Sequence, residues 1–263
     1  MALGPDLDRR VGVDLDRAGL VSFPIRPGMT ADSAEVGAVG RQCLSRGSRW
    51  KPAVWQLQYS DGSTRLRKEV ASLPMRGRWL ARWLLHRERR VLATLEGLAG
   101  IPRLLESSRD HWDCEFIQGQ VLERQIFSSE PRRLADELFH ILQAIHQRGV
   151  YHLDLRQKQN ILVDEVGRLT LVDFGASFRC GTLSRLWLGP LLSWVDRQAV
   201  LKYLARYAPD ALRPEEAKAV MKAQRLRRFW VFSKHRPRGE KEAAARRLRE
   251  TGDSKEKENG GLP

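Results

Sequence analysis

The sequence predicts an α+β protein with a β-rich N-terminal lobe and a short helical C-terminal lobe. Three observations carry this. Ala53 to Tyr59 and Thr64 to Ala71 read as a hairpin, joined by the turn Ser60-Asp61-Gly62-Ser63. Gly77 to Leu98 and Leu134 to Ile145 show helical periodicity. Two short apolar runs, Ile161-Leu162-Val163 and Leu169 to Val172, read as buried strands around a turn at Asp164 to Gly167. At 263 residues the chain is long enough to bury a sizeable core as one domain with two lobes.

The elements follow in order. Residues 1–20 are polar and read as a loose arm. Val21 to Ser48 is rich in Gly, Ser and Pro and shows no convincing periodicity. The hairpin comes next, then the helix from Gly77. Its Trp79/Trp83 and Leu80/Leu84 pairs repeat at four residues, and Leu92, Leu95 and Leu98 extend the apolar face. Trp79 and Trp83 have two readings: packing against the sheet, or an interfacial helix in which Trp and Leu alternate with Arg. Trp112 to Gln118 reads as a strand. Pro131 opens a helix whose stripe is Leu134, Leu138, Ile141, Leu142 and Ile145, and Gly149 closes it. Arg185 to Trp194, Gln198 to Tyr207 and Pro214 to Phe229 read as three further helices. Lys234 to Pro263 is polar and charged and reads as a mostly disordered tail, with a helix at Lys241 to Glu250.

Composition narrows the function classes. Cys43, Cys114 and Cys180 are scattered and form no CxxC pair, which argues against a disulfide framework or zinc site and for a reducing compartment. The N-terminal stretch has acidic residues where a signal peptide needs an apolar core. The apolar run Leu186 to Val195 is broken by Gly189-Pro190 and is too short to span a bilayer. These features point to the cytoplasm, with peripheral contact at the inner face of a membrane as an extension. The formal charge is +14. Two stretches supply most of it: Arg76 to Arg90 has six Arg against one Glu, and Lys222 to Glu250 has eleven Lys or Arg against three Glu. Clustered positive charge implies an anionic partner, or else a solvated basic surface around the enzyme.

The chemistry concentrates in Tyr151 to Ser177. Asp154, Asn160 and Asp173 border the two apolar runs. Oxygen ligands at the ends of buried strands suit a magnesium–phosphate site, because Mg²⁺ takes a few hard oxygens together with phosphates and water. These residues resemble the catalytic core of the protein-kinase-like superfamily. His152-Leu153-Asp154-Leu155 is similar to its catalytic loop, Asn160 to the loop asparagine and Asp173-Phe174-Gly175 to its DFG motif. Five residues, Leu155 to Gln159, separate Asp154 from Asn160 where the usual loop has four. This spacing resembles a compact atypical bacterial branch near the lipopolysaccharide-core (Kdo/heptose) kinases and RIO-like kinases.

The resemblance implies a two-lobed protein-kinase-like fold, with the N-lobe at 21–117 and a compact C-lobe at 118–233. It implies that Asp154 accepts the proton of a substrate hydroxyl and that Asn160 and Asp173 hold Mg²⁺ against the phosphates of ATP. Arg156 stands where a phosphate-contacting cation is expected. Lys68 would meet the α/β-phosphates, with Arg65 and Arg67 as the register alternatives, and Glu88 would pair with Lys68. The backbone of Glu115 and Ile117 would recognise the adenine edge. His152 reads as a packed scaffold residue. The Gly-rich loop departs from the pattern: Gly47 is seven residues before Val54, but Arg49 and Pro52 replace the other two glycines.

The function implied is ATP-dependent phosphoryl transfer to a hydroxyl. No Ala-Pro-Glu follows Gly175, and the stretch after it is short for peptide-docking helices. That favours an anionic acceptor on a membrane, a glycan or lipid such as lipopolysaccharide core. The alternatives are a RIO-like serine/threonine protein kinase, or a pseudokinase acting as a basic scaffold for membrane or nucleic acid. Nucleic acid is the weaker partner, because core packing explains Phe229, Trp230 and Phe232 more simply than base stacking.

Overall fold

In the computed structural model, residues 38–47, 51–70 and 75–227 are described. The arm at 1–20, Arg49, the tail at 234–263, the expected helix at Lys241 to Glu250 and the aromatics at 229–232 lie outside these residues. The chain divides into two units, one comprising residues up to Leu85 together with Leu105–Phe116, the other His86–Leu104 together with Ile117 onward. Residues 86–104, which the sequence assigns to the N-lobe, therefore cluster with the second unit.

The first unit is built on a five-stranded sheet in the order β1-β2-β3-β5-β4. Its strands are β1 (Ala38–Ser45), β2 (Ala53–Tyr59), β3 (Thr64–Glu69), β4 (Leu104–Ser107) and β5 (His111–Glu115). The expected hairpin is present, with Trp55 opposite Arg67 and Val54 opposite Lys68. β1 was not expected in the Gly/Ser/Pro-rich stretch. It pairs with β2 through two register shifts, between Ala38 and Gly40 and between Cys43 and Ser45. Such bulges break the period-2 pattern that marks a strand in sequence.

Side chains alternate across β3. Arg67 turns to one face and makes a two-pronged ion pair with Asp113 at 2.7 and 2.8 Å. Both residues are buried. Lys68, one residue on, lies on the other face with Leu66, beside Trp112 and Cys114 of β5. The helix α1 (Met75–Thr94) crosses the division after Leu85. Ala81 and Leu85 are buried, but Trp79 and Trp83 are exposed. This corrects the reading that packs both tryptophans in the core.

The second unit is mainly helical. A three-stranded sheet in the order β6-β8-β9 uses β6 (Gln120–Val121), β8 (Ile161–Val163) and β9 (Leu169–Leu171). A two-stranded ladder joins β7 (Val150–Tyr151) to β10 (Phe178–Arg179). The short α2 (Arg124–Ser129) precedes α3 (Pro131–Gln147), which buries the five predicted stripe residues plus Ala135. Gly149 then turns the chain at φ +72°, and a Cβ there would lie 2.9 Å from the carbonyl oxygen of Cys180. Only glycine satisfies both the conformation and the close approach of the Cys180 backbone.

The two helices expected at Arg185 to Trp194 and Gln198 to Tyr207 are one, α4 (Thr182–Tyr207), with Pro190 inside it. Proline removes one helical hydrogen bond, and here the flanking turns continue through it. α5 (Pro214–Arg227) is the last described element. The fold is thus α+β, a β-sheet unit and a helical unit, as a two-lobed protein-kinase-like architecture requires.

Candidate active site

The β8–β9 hairpin sets the site of the second unit. Ile161 and Leu171 face each other at its open end. One step further out, the Val172 N–H donates to the Asn160 carbonyl at 2.9 Å. Asn160 therefore enters the hairpin beside the point where Asp173 leaves it. Ile161, Val163, Leu169 and Leu171 are buried and anchor both strands.

Asp154 is brought to Asn160 by the loop between them. The Gln157 N–H donates to the Asp154 carbonyl at 3.3 Å and the Asn160 N–H to the Gln157 carbonyl at 3.1 Å. The 3₁₀ turn at Lys158–Asn160 takes up the fifth intervening residue. The Asn160 amide then donates to the Asp154 backbone oxygen at 3.0 Å and to its carboxylate at 3.2 Å. Gln157 donates to the same carboxylate oxygen at 2.6 Å. Leu155 is buried, and the Tyr203 hydroxyl donates to its carbonyl at 2.9 Å. Burial pushes the Tyr203 hydroxyl well above its ordinary range, so it stays a proton donor.

Two residues at the site have left-handed backbones, Leu153 at φ 66° and Asp173 at φ 60°. Such conformations are rare away from glycine and concentrate at functional sites. Asp173 is exposed and its carboxylate accepts the Gly175 N–H at 3.4 Å. Phe174 is buried against His152, with ring centroids 4.7 Å apart. Arg87 donates to the Gly175 carbonyl, which ties α1 to the end of the motif. His152 is fully buried and its Nε2 faces the Val172 carbonyl at 3.1 Å. Burial pushes its pKa down, so the ring is neutral and packs rather than carrying protons.

Sequence reasoning missed Asp196. This residue of α4 is 1% exposed. Its carboxylate accepts the N–H of His152 at 2.8 Å and of Leu153 at 2.7 Å, and lies 2.9 Å from His146 Nε2. The available signal was one acid at the end of the apolar run Leu186 to Val195. A buried carboxylate needs donors, and the loop amides supply them.

The remaining candidates are spread over the chain. Arg156 is exposed and lines a pocket of 520 Å³ together with Lys158, Lys202, Arg206, Gln157 and Tyr203. No acidic residue lines that pocket, although Lys158 also meets Glu123 at 2.7 Å. Lys68 and Glu115 belong to the first unit, on β3 and at the end of β5. Glu88, on α1, and Ile117 belong to the second, and Glu88 is buried. Gly47 has φ +70°, and a Cβ there would lie 2.5 Å from the Lys51 carbonyl oxygen, so this turn admits glycine alone.

The donor set fits magnesium carried by a nucleotide. The described residues hold no cluster of three or more His, Cys, Asp or Glu able to cage a metal. Mg²⁺ bound through phosphates needs only one or two carboxylates, with amide and water oxygens completing its shell. The exposed Asp173 and the adjacent Asn160 supply oxygens of that kind.

No protein-family model matches the chain. Parts of it are similar to known kinases. It is 36% identical over 101 residues to CBL-interacting protein kinase 17 of Oryza sativa subsp. japonica, covering 34% of this chain and 22% of that protein. It is 46% identical over 63 residues to CBL-interacting serine/threonine-protein kinase 3 of Arabidopsis thaliana, covering 24% and 14%. It is 41% identical over 92 residues to serine/threonine-protein kinase PKH3 of Eremothecium gossypii, covering 31% and 12%. The chain thus spans under a quarter of the length of each of these relatives. Parts of the chain are thus similar to protein kinases, on an α+β, kinase-like fold that sets Asp154 against Asn160 and Asp173 at the hairpin end.

Proposed function

We propose that the protein is an ATP-dependent phosphotransferase that moves the γ-phosphate of ATP to a hydroxyl on an anionic, membrane-associated glycan or lipid, such as lipopolysaccharide core. The observation that carries the transfer is the Asp154–Asn160 hydrogen bond at the open end of the β8–β9 hairpin. Phosphoryl transfer gives a protein little covalent work, so positioning and charge stabilisation dominate.

In this reading the acceptor hydroxyl attacks the γ-phosphorus, the bond from that phosphorus to the bridging oxygen breaks, and ADP leaves. Asp154 accepts the hydroxyl proton as the new P–O bond forms, while Gln157 and Asn160 hold its carboxylate in place. Asn160 and Asp173 would hold Mg²⁺, which when bound neutralises phosphate charge. Lys68 would contact the α/β-phosphates and pair with Glu88, and the backbone of Glu115 and Ile117 would meet the adenine. Arg156 would meet phosphate or the acceptor's own anionic group, because three further cations share its pocket.

Two observations support an acceptor other than a peptide. Only five residues separate the 3₁₀ turn at Phe174–Ala176 from α4. The pocket beside Asp154 is cationic. The names of the relatives favour a second reading, a serine/threonine protein kinase.

The test is a phosphoacceptor screen with radiolabelled ATP and Mg²⁺ across lipid extracts, glycolipids and peptides. Label in a glycolipid or lipid band, absent with Asp173→Ala, supports the proposal. Label in peptides alone transfers it to the second reading. Equal background from wild type and Asp173→Ala removes both.

A further inference from the structure

We infer that the N-terminal half of α4 is a docking face for an anionic membrane surface. Leu183, Leu186, Trp187, Pro190, Leu191 and Trp194 recur at steps of three and four residues, which lines them along one side of the helix. All six are exposed, and Trp187 is 85% accessible, Leu183 77% and Leu186 72%. The other side of the helix is fixed to the protein. Gly189 is buried, and a Cβ there would lie 2.7 Å from the Tyr151 hydroxyl. Arg185 reaches inward to the Gln147 carbonyl at 2.9 Å. A contiguous apolar stripe of this size on a soluble protein marks an interaction surface.

Charge selects the occupant. Between Phe178 and Arg197 the exposed charged residues are Arg179, Arg185 and Arg197. The only acid of that stretch, Asp196, is buried and holds the His152 and Leu153 amides. The stripe therefore has basic neighbours and no exposed carboxylate along its own segment. A chain of net charge +14 repels a second copy of itself and is attracted to anionic headgroups. Tryptophan favours the boundary between headgroups and acyl chains. No helix among the described residues is long and apolar enough to cross a membrane, so α4 would lie in the plane of the surface. This inference deepens the reading of a membrane-borne acceptor and rests on it for its purpose, while its test reads binding apart from transfer.

The experiment floats the full chain with vesicles of phosphatidylcholine alone or mixed with phosphatidylglycerol. Wild type is expected to float with the mixed vesicles, and W187E/L191E to lose partition by about tenfold or more. L183Q/L186Q serves as a second variant, and circular dichroism confirms that each is folded. Flotation that survives in both variants overturns the inference, as does wild type that stays in solution with mixed vesicles at low salt. A sedimentation change in W187E/L191E without lipid makes a second copy the occupant and also overturns it. Magnesium-dependent ATP hydrolysis is measured in parallel without lipid. Its absence in wild type removes the kinase reading and leaves the flotation result standing.

Discussion

Asp196 accepts the backbone N–H of Leu153 at 2.7 Å, and Leu153 holds a φ of 66°. A leucine in the left-handed region is strained and persists only where its surroundings over-determine it. The second Asp196 oxygen takes the His152 amide, so one buried carboxylate fixes two consecutive residues just before Asp154. Asp196→Ala leaves both amides without their acceptor, at an expected cost on the order of 3 kcal/mol, measured by urea unfolding. Asp196→Asn keeps one acceptor oxygen. Its turnover is expected to fall while the KM for ATP holds, because the two amides it holds lead directly into the proposed base Asp154, whereas the proposed adenine and α/β-phosphate contacts lie on other elements.

His152 predicts a pH dependence of stability. Burial, the largest influence on the ring, holds its pKa below the ordinary 6.5, and the opposing pull of Asp196 is smaller. Above pH 6.5 the ring is neutral in folded and unfolded chains alike, so it adds no slope there. As pH falls below 6.5 the unfolded chain takes up a proton that the folded protein resists, and stability declines. The slope is at most about 1.4 kcal/mol per pH unit. Urea midpoints at pH 7.5 and 5.5 should differ in wild type and converge in His152→Gln. Asp110 and Asp136 do not confuse the result. Hydrogen bonds from Arg82 and Arg132 hold their carboxyls below the ordinary 3.8, so they act only in more acid solution.

Local features of the site were legible because they are contiguous in sequence. His152, Asp154, Asn160 and Asp173 lie within 22 residues, and the hairpin between the last two follows from two apolar runs and a turn. The expected packed state of His152 is also found, with the residue buried directly after β7. Asp196 was not legible, because it lies 43 residues from Leu153 and no local pattern links a helix acid to a distant loop amide. β1 was hidden by its bulges. Trp79 and Trp83 misled because helical spacing shows that residues share a face without showing which face is covered. α4 was split between Trp194 and Gln198, where the polar pair Asp196-Arg197 interrupts the apolar pattern; Asp196 is instead buried within one helix because the distant loop amides satisfy it.

The Arg67–Asp113 pair in the first unit gives a contrast between breaking and replacing a buried ion pair. Asp113→Ala strands a guanidinium that is 4% exposed, with an expected loss of about 3–5 kcal/mol. Replacing both partners, as in R67M/D113L, removes the two charges together. That double variant should fall within about 1 kcal/mol of wild type or exceed it. Urea unfolding of the single and double variants decides the point. Equal losses in the two would show that the pair's shape, not its charge, holds the sheet.

The five-residue spacing between Asp154 and Asn160 should be required rather than tolerated. Its turns bring the Asn160 amide to the Asp154 backbone oxygen at 3.0 Å, and the Tyr203 hydroxyl pins Leu155 at 2.9 Å. Deleting Gln159 restores the usual four residues but removes a position from the 3₁₀ turn. Asn160 is then drawn away from either Asp154 or the Val172 N–H that it accepts at 2.9 Å. Losing one or two such bonds costs about 1–3 kcal/mol, which a folded domain survives. Misplacing the proposed base by an ångström costs about a hundredfold in rate. The expected result is a protein with a native circular dichroism spectrum and magnesium-dependent ATP hydrolysis at least about a hundredfold slower. Wild-type hydrolysis in the deletion variant would mean that Gln159 is a neutral insertion and that the Asp154–Asn160 contact does not set the rate.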